Sequence, residues 1–230
     1  MKLTKIFSLL STAFLLSTIA ACASASENAG TQSITGSTTQ TTAPQTSQPT
    51  QVAQTPPNSQ QPRTKTEVIS VEGEETEISL KLYDEASEVF TTYFPENDFV
   101  AESGGSGEGT GARFYFSAGG TRNEVVYISM FFPAQATSLE QIRKLVMQPG
   151  GLLQSNRWQV VNRTEEVPYS WAKERIVFRE GMTSQNIMGE IYIGESNGKA
   201  FHVITHYPAE YSEGFIPRSE LILQNLQVNR

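Results

Sequence analysis

His202 and His206 are the only histidines in the chain. On a β-strand they would share a face but stand about 13 Å apart, at ~3.3 Å per residue, too far for two ligands of one zinc. No cysteine follows Cys22 to complete a ligand set, so both read as surface or rim histidines and no metal site is expected. Serine–histidine hydrolysis needs a nucleophile elbow, and Gly-x-Ser-x-Gly is absent; Gly104-Gly105-Ser106-Gly107 does not fit it. The glycines at 104, 105, 107, 109 and 111 match neither phosphate-loop spacing, and they precede Arg113-Phe114-Tyr115-Phe116, a strand rather than a helix N-terminus. They read as a mobile β-hairpin loop. Glu165-Glu166, Glu74-Glu75 and the acidic run 72–77 offer carboxylates without the Asp/Asn-rich spacing of a calcium loop. They read as solvated faces. Trp158 and Trp171 read as core or rim aromatics. No catalytic residue, cofactor-binding residue or cofactor is expected, and the chain is not expected to be an enzyme.

One nucleophile has a defined context. Cys22 is the only cysteine and closes Ile19-Ala20-Ala21-Cys22, behind Lys2, Lys5 and an apolar stretch from Ile6 to Ile19. That stretch is too short to span a bilayer but suits the core of a signal peptide. Small residues before the cysteine leave the backbone open to a peptidase. The pattern resembles a bacterial lipobox. The resemblance implies a signal peptide over 1–21, cleavage before Cys22, and lipidation of its thiol and new amino group. The other reading is an ordinary signal peptide cut at Ala-x-Ala, for instance after Ala25, with Cys22 discarded. With a single cysteine, no intrachain disulfide is available to stabilise the fold.

The chain then changes composition twice. Residues 22–65 are dominated by Ser, Thr, Gln, Pro and Ala, as in Thr38-Thr39-Gln40-Thr41-Thr42. There is almost nothing apolar to offset the entropy of ordering, so this segment reads as a disordered tether with a root-mean-square reach of roughly 35 Å. Residues 66–230 read as one globular domain. Of the 24 acidic residues only Glu27 precedes Thr66, against four of the 17 basic ones, which leaves the domain a balance of −10. Such a charge disfavours nucleic acid as a partner and an electrostatic grip on anionic lipid.

The domain's elements follow from period. Two-residue alternation marks strands at Val68–Val71, Thr76–Leu82, Asp98–Ala101, Arg113–Phe116 and Glu124–Phe132, the last with apolar residues on both faces as in a covered central strand. Further strands are expected at Trp158–Asn162, Ala172–Arg179, Ile187–Ile193 and Ala200–Thr205, with Asn197-Gly198 as a hairpin turn. Ser138 to Met147 is a helix with Ser138 as N-cap and Gln141 three residues on, a capping box. A second helix is expected from Pro217 to Leu226, then a short strand at Gln227-Val228. Phe114, Phe116, Ile128, Met130, Phe132, Leu139, Ile142, Val177, Ile191, Ile193, Val203 and Leu223 are expected to form one core. The expected class is α+β, a largely antiparallel sheet covered by helices.

Phe90-Thr91-Thr92-Tyr93-Phe94-Pro95-Glu96, the meander through Phe132-Pro133, and Tyr207-Pro208 leading to Leu223-Gln224-Asn225-Leu226 resemble the PsbP-like family. The resemblance covers most of 76–228, more by element order than by residues. It implies an α/β/α sandwich and a non-catalytic binding or assembly role.

The expected function is thus a lipoprotein held to a membrane through Cys22, with a binding or assembly domain for an unknown protein partner. It would face an extracytoplasmic compartment: the periplasmic side of the outer or plasma membrane, or a thylakoid lumen. A small-ligand-binding lipoprotein and a hydrolase using carboxylates are the alternatives. Converging acids in a cleft would favour the hydrolase, a closed apolar cavity the ligand carrier, and a grooved surface with exposed aromatics near 104–111 the protein-binding role.

Overall fold

The computed structural model describes residues 61–71, 73–136, 138–180 and 186–229. Cys22 and residues 22–60 of the expected tether lie outside them. Eleven strands and three α-helices follow in order: β1 (Thr64–Val71), β2 (Glu74–Tyr83), β3 (Phe90–Phe94), β4 (Phe99–Ser106), β5 (Gly109–Phe116), β6 (Tyr127–Pro133), α1 (Leu139–Met147), α2 (Leu152–Ser155), β7 (Trp158–Thr164), β8 (Ala172–Glu180), β9 (Ile187–Ser196), β10 (Lys199–Pro208), α3 (Ser212–Gln224) and β11 (Gln227–Val228). The strands form two sheets, β1-β2-β3-β11 and β4-β5-β6-β10-β9-β8-β7. All the strand pairings are antiparallel.

This corrects the expected fold class. The chain is a β-rich fold of two antiparallel sheets, not an α+β sheet between helical layers. The reason lies in β2 and β3. Tyr83, Phe90 and Phe94 bring a second sheet onto the inner face of the first, where a helix layer was expected. Phe90 stacks on Phe132 at 5.0 Å and Phe132 on Phe201 at 4.4 Å, so three rings run from one sheet into the other. Phe114 adds an edge contact to Tyr83 at 5.2 Å and a tilted one to Phe94 at 5.5 Å. All five residues of β3 are buried, and the Thr92 hydroxyl donates to the Ile222 carbonyl of α3 at 2.6 Å, which lets a polar side chain sit there. α3 touches both sheets: Leu221 packs with Ile69, Leu80 and Tyr93, and Phe215, Ile222 and Leu223 join the inter-sheet core.

The opposite face of the large sheet has its own apolar cluster. Ile142 and Val146 of α1 cover Ile176, Phe178, Ile191, Ile193 and Ile204. The expected single core is therefore two, on opposite sides of one sheet. Phe114, Phe116, Ile128, Met130, Phe132, Val203 and Leu223 lie in one, and Ile142, Ile191, Ile193 and Leu139 in the other. Val177 belongs to neither, because β8 turns Ile176 and Phe178 inward instead. The Ser138–Gln141 capping box is present at the start of α1. Asn197 and Gly198 both have positive φ, at 51° and 76°, in the β9–β10 turn. α3 begins five residues earlier than expected, with Pro217 inside it. Pro217 is the sixth residue of α3, past the four N–H groups that lack an intrahelical acceptor, so the helix forgoes one i→i−4 hydrogen bond there.

The glycine-rich stretch is a second correction. Gly104, Gly105 and Ser106 end β4, and Gly109 and Gly111 begin β5, in register as Gly104↔Gly111 and Ser106↔Gly109. This is a paired hairpin, not a loop. Its glycines have a packing reason: a Cβ at Gly111 would meet the Met130 carbonyl at 2.5 Å and the Phe131 ring at 3.2 Å. Only glycine lets the Phe131 ring lie across this backbone.

Candidate functional site: an open trough on the large sheet

β6 lies between β5 and β10. Its inward residues Ile128, Met130 and Phe132 are buried, while Tyr127, Ser129 and Phe131 are only half-buried on the outer face. This corrects the reading of β6 as covered on both sides. The helices α1 and α2 reach only the β7–β8–β9–β10 half of that face. What remains is a trough. A hollow of about 660 Å³ runs between the sheet and α1–α2, with Phe131, Ser129, His202 and Ile204 on its floor and Lys144, Gln148 and Gly151 on its wall. A second hollow of about 390 Å³ continues from it toward the tip of the β4–β5 hairpin. Arg113, Ser129 and Phe131 line both.

Arg113 is the charged centre of the trough. Its guanidinium lies 4.6 Å from the centre of the Tyr127 ring, and it donates to the Tyr115 hydroxyl at 3.3 Å. No carboxylate pairs with it among the described residues. Stacking on a ring holds a guanidinium in one orientation without consuming its hydrogen-bonding edge. Beyond Arg113, Arg122 sits 3.7 Å over the Tyr115 ring and pairs with Glu102 and Glu124.

The α1 wall is fixed from below. Glu174 is 1% exposed and accepts from Arg143 of α1 at 2.7 Å and from Arg163 of β7. Burial pushes its carboxyl up, but the hydrogen bonds from Arg163 and Arg143 outweigh that and hold it below the usual carboxylate range. Two guanidinium groups on one carboxylate tie α1 and the edge strand β7 to β8. Sequence reasoning passed over Glu174, because nothing local distinguishes it from the other acids.

The histidines are the third correction. His202 and His206 are 5% and 7% exposed, not surface residues. β10 is an interior strand with nine of its ten residues buried, and His202 meets solvent only at the floor of the trough. His206 donates through Nδ1 to the Val125 carbonyl at 2.8 Å and stacks on Tyr127 at 4.8 Å. Burial lowers its pKa. His202 lines the trough, and its Nδ1 is buried with no hydrogen-bond partner. Burial pushes it down to about 4, so it is neutral at pH 7. No cluster of three or more metal-ligating side chains occurs among the described residues.

The remaining candidates scatter. Glu74, Glu75 and Glu77 are exposed around the β1–β2 hairpin, Glu165 and Glu166 are exposed after β7, and Glu72 lies outside the described residues. Trp158 and Trp171 are buried, Trp158 stacked on Phe178 at 4.2 Å and Trp171 on Tyr169 at 5.1 Å. A further cleft of about 360 Å³ beside α3 brings Glu190 and Glu220 together among Tyr169, Tyr192 and Tyr207. Glu190 is already engaged by Arg175 and by the Tyr192 hydroxyl, which donates to it. Burial, and then Glu190, raise the Glu220 carboxyl. The cleft's only neutral hydroxyls from Ser or Thr are already bonded: Ser219 donates to the Ile216 carbonyl, and Thr205 accepts from the Glu190 N–H. The cleft thus brings two acids together, the feature named for the hydrolase alternative, but Glu190 is already held by Arg175 and Tyr192 in an ion-pair network.

No helix among the described residues is long and apolar enough to cross a membrane. No protein-family model matches the chain, and no curated protein matches it.

Proposed function

We propose that this chain is a lipoprotein, anchored through Cys22 on an extracytoplasmic membrane face, whose domain is a binding or assembly module that docks a partner protein in the trough. The observation that carries the reading is the uncovered half of the large sheet. Tyr127, Ser129 and Phe131 are left half-buried beside an unpaired, ring-stacked Arg113, close to the glycine hairpin. Interfaces favour this composition, with aromatic and arginine anchors and no activated catalytic group. The Ile19-Ala20-Ala21-Cys22 sequence supports the anchor. A small-ligand pocket would be closed and mostly apolar, whereas this trough is open along its length.

Ser129→Trp tests the reading, because it fills the trough floor from the outer face and leaves both cores untouched. Affinity purification from detergent-solubilised membranes should recover a partner with the wild-type chain and lose it with Ser129→Trp, at an unchanged melting temperature. Cys22→Ala should leave the membrane fraction or stay unprocessed. Equal recovery with Ser129→Trp, or membrane fractionation and migration of Cys22→Ala like the wild type, contradicts the corresponding half of the reading.

A further inference from the structure

We infer that the occupant of the trough is an extended, carboxylate-rich segment of the partner protein, an inference that rests on the trough being a docking site. The ground is a local inversion of charge. The domain carries an excess of acid over base, yet the hollow beneath α1–α2 is lined by Arg113 and Lys144 and by no Asp or Glu. In the adjoining hollow the one carboxylate, Glu102, is clasped by Arg122. Lys144 has only a 4.0 Å contact to Glu140, one turn before it on an exposed helix surface, which leaves its ammonium available. Arg113 is held over Tyr127 with no acidic partner.

A docking site on an acidic domain is expected to be neutral or acidic by chance. Two cations without a close acidic partner, in a hollow lined by no Asp or Glu, are therefore complementary to carboxylates. The neutral polar groups agree. His202 Nδ1 is buried and unpartnered at the floor, and a buried polar atom without a partner is satisfied when a ligand group reaches it. An extended segment fits the shape, because the two hollows run on from one another across the strands, from β4 over Arg113 and Phe131 to β10. Its carboxylates would meet Arg113 and Lys144, and an apolar side chain would lie on Phe131.

The test places a photo-crosslinking amino acid at Gln148, on the trough wall, in the full chain in its own membranes, and sequences the captured segment. Carboxylates should outnumber cations in that segment. The double variant Arg113→Glu with Lys144→Glu should lower the adduct yield by about tenfold or more, the loss expected when two interfacial charge pairs become repulsive. Its melting temperature should match the wild type, since neither side chain enters a core. Capture of a neutral or basic segment, capture of lipid, or an acidic adduct that survives charge reversal overturns the inference and leaves the docking site standing. No adduct at all from Gln148 overturns the docking site as well.

Discussion

Phe114→Ala is expected to lower the unfolding free energy of the mature chain by about 3–5 kcal/mol, the range for deleting a buried ring that leaves a cavity. That is a large share of a typical domain's ~5–15 kcal/mol. Phe114 is fully buried and touches Tyr83 and Phe94 of the small sheet from a strand of the large one. The cavity therefore opens at the joint between the sheets, and neither can collapse onto it without breaking its own ladder. With no cysteine after Cys22, no disulfide compensates. Denaturant midpoints decide it. If Phe114→Ala costs no more than Val160→Ala, an exposed position expected within about 0.5 kcal/mol, the two sheets do not depend on this contact.

The second large effect is acid lability centred on His202. Its pKa falls from an ordinary 6.5 to about 4 in the folded chain, a difference worth ~3 kcal/mol. Between those values the unfolded chain binds a proton that the folded chain excludes. Stability is therefore complete above about 6.5 and is lost as pH falls toward about 4. His206 is shifted in the same direction. Glu174 acts in a lower window: its depressed carboxyl contributes above the unfolded carboxylate value and is lost as pH drops through the folded one. His202→Leu removes the first dependence and replaces an unpartnered polar ring with an apolar side chain. Unfolding free energy measured at pH 7 and pH 5 should fall much less in His202→Leu than in the wild type. An equal fall in both would mean that His202 is solvated.

Local elements were legible in the sequence because their signals are local. The Ser138–Gln141 capping box, the Asn197-Gly198 turn and the closing strand at Gln227-Val228 depend on a few adjacent residues. Sheet membership does not. The alternation of Ile78, Leu80 and Leu82 is the same whether β2 extends one sheet or starts another, and only the long-range stack of Phe90 on Phe132 separates the two. For the same reason the histidines were misplaced. The run Ala200-Phe201-His202-Val203-Ile204 is apolar around His202, but that it lies inside the sheet depends on β6 and β9 flanking it. The trough was half legible. In Tyr127-Ile128-Ser129-Met130-Phe131-Phe132 the aromatic residues on both faces read as a covered strand, and Ser129 is the one local trace of the half-open face. That helices α1 and α2 stop short of Arg113 is a tertiary fact with no local trace.

The chain's single cysteine allows the most direct measurement of the docking face. With Cys22 bound to lipid, Gln148→Cys would be the only free thiol, on the exposed wall of the trough. Its rate of reaction with a small maleimide is compared in intact membranes and in the purified protein, beside Glu77→Cys at an exposed position of β2 in the small sheet. Protection of Gln148→Cys in membranes, with Glu77→Cys reacting equally in both, is the expected result. Equal rates for Gln148→Cys in membranes and in isolation would mean that nothing occupies the trough, and the proposed binding role would fall with it.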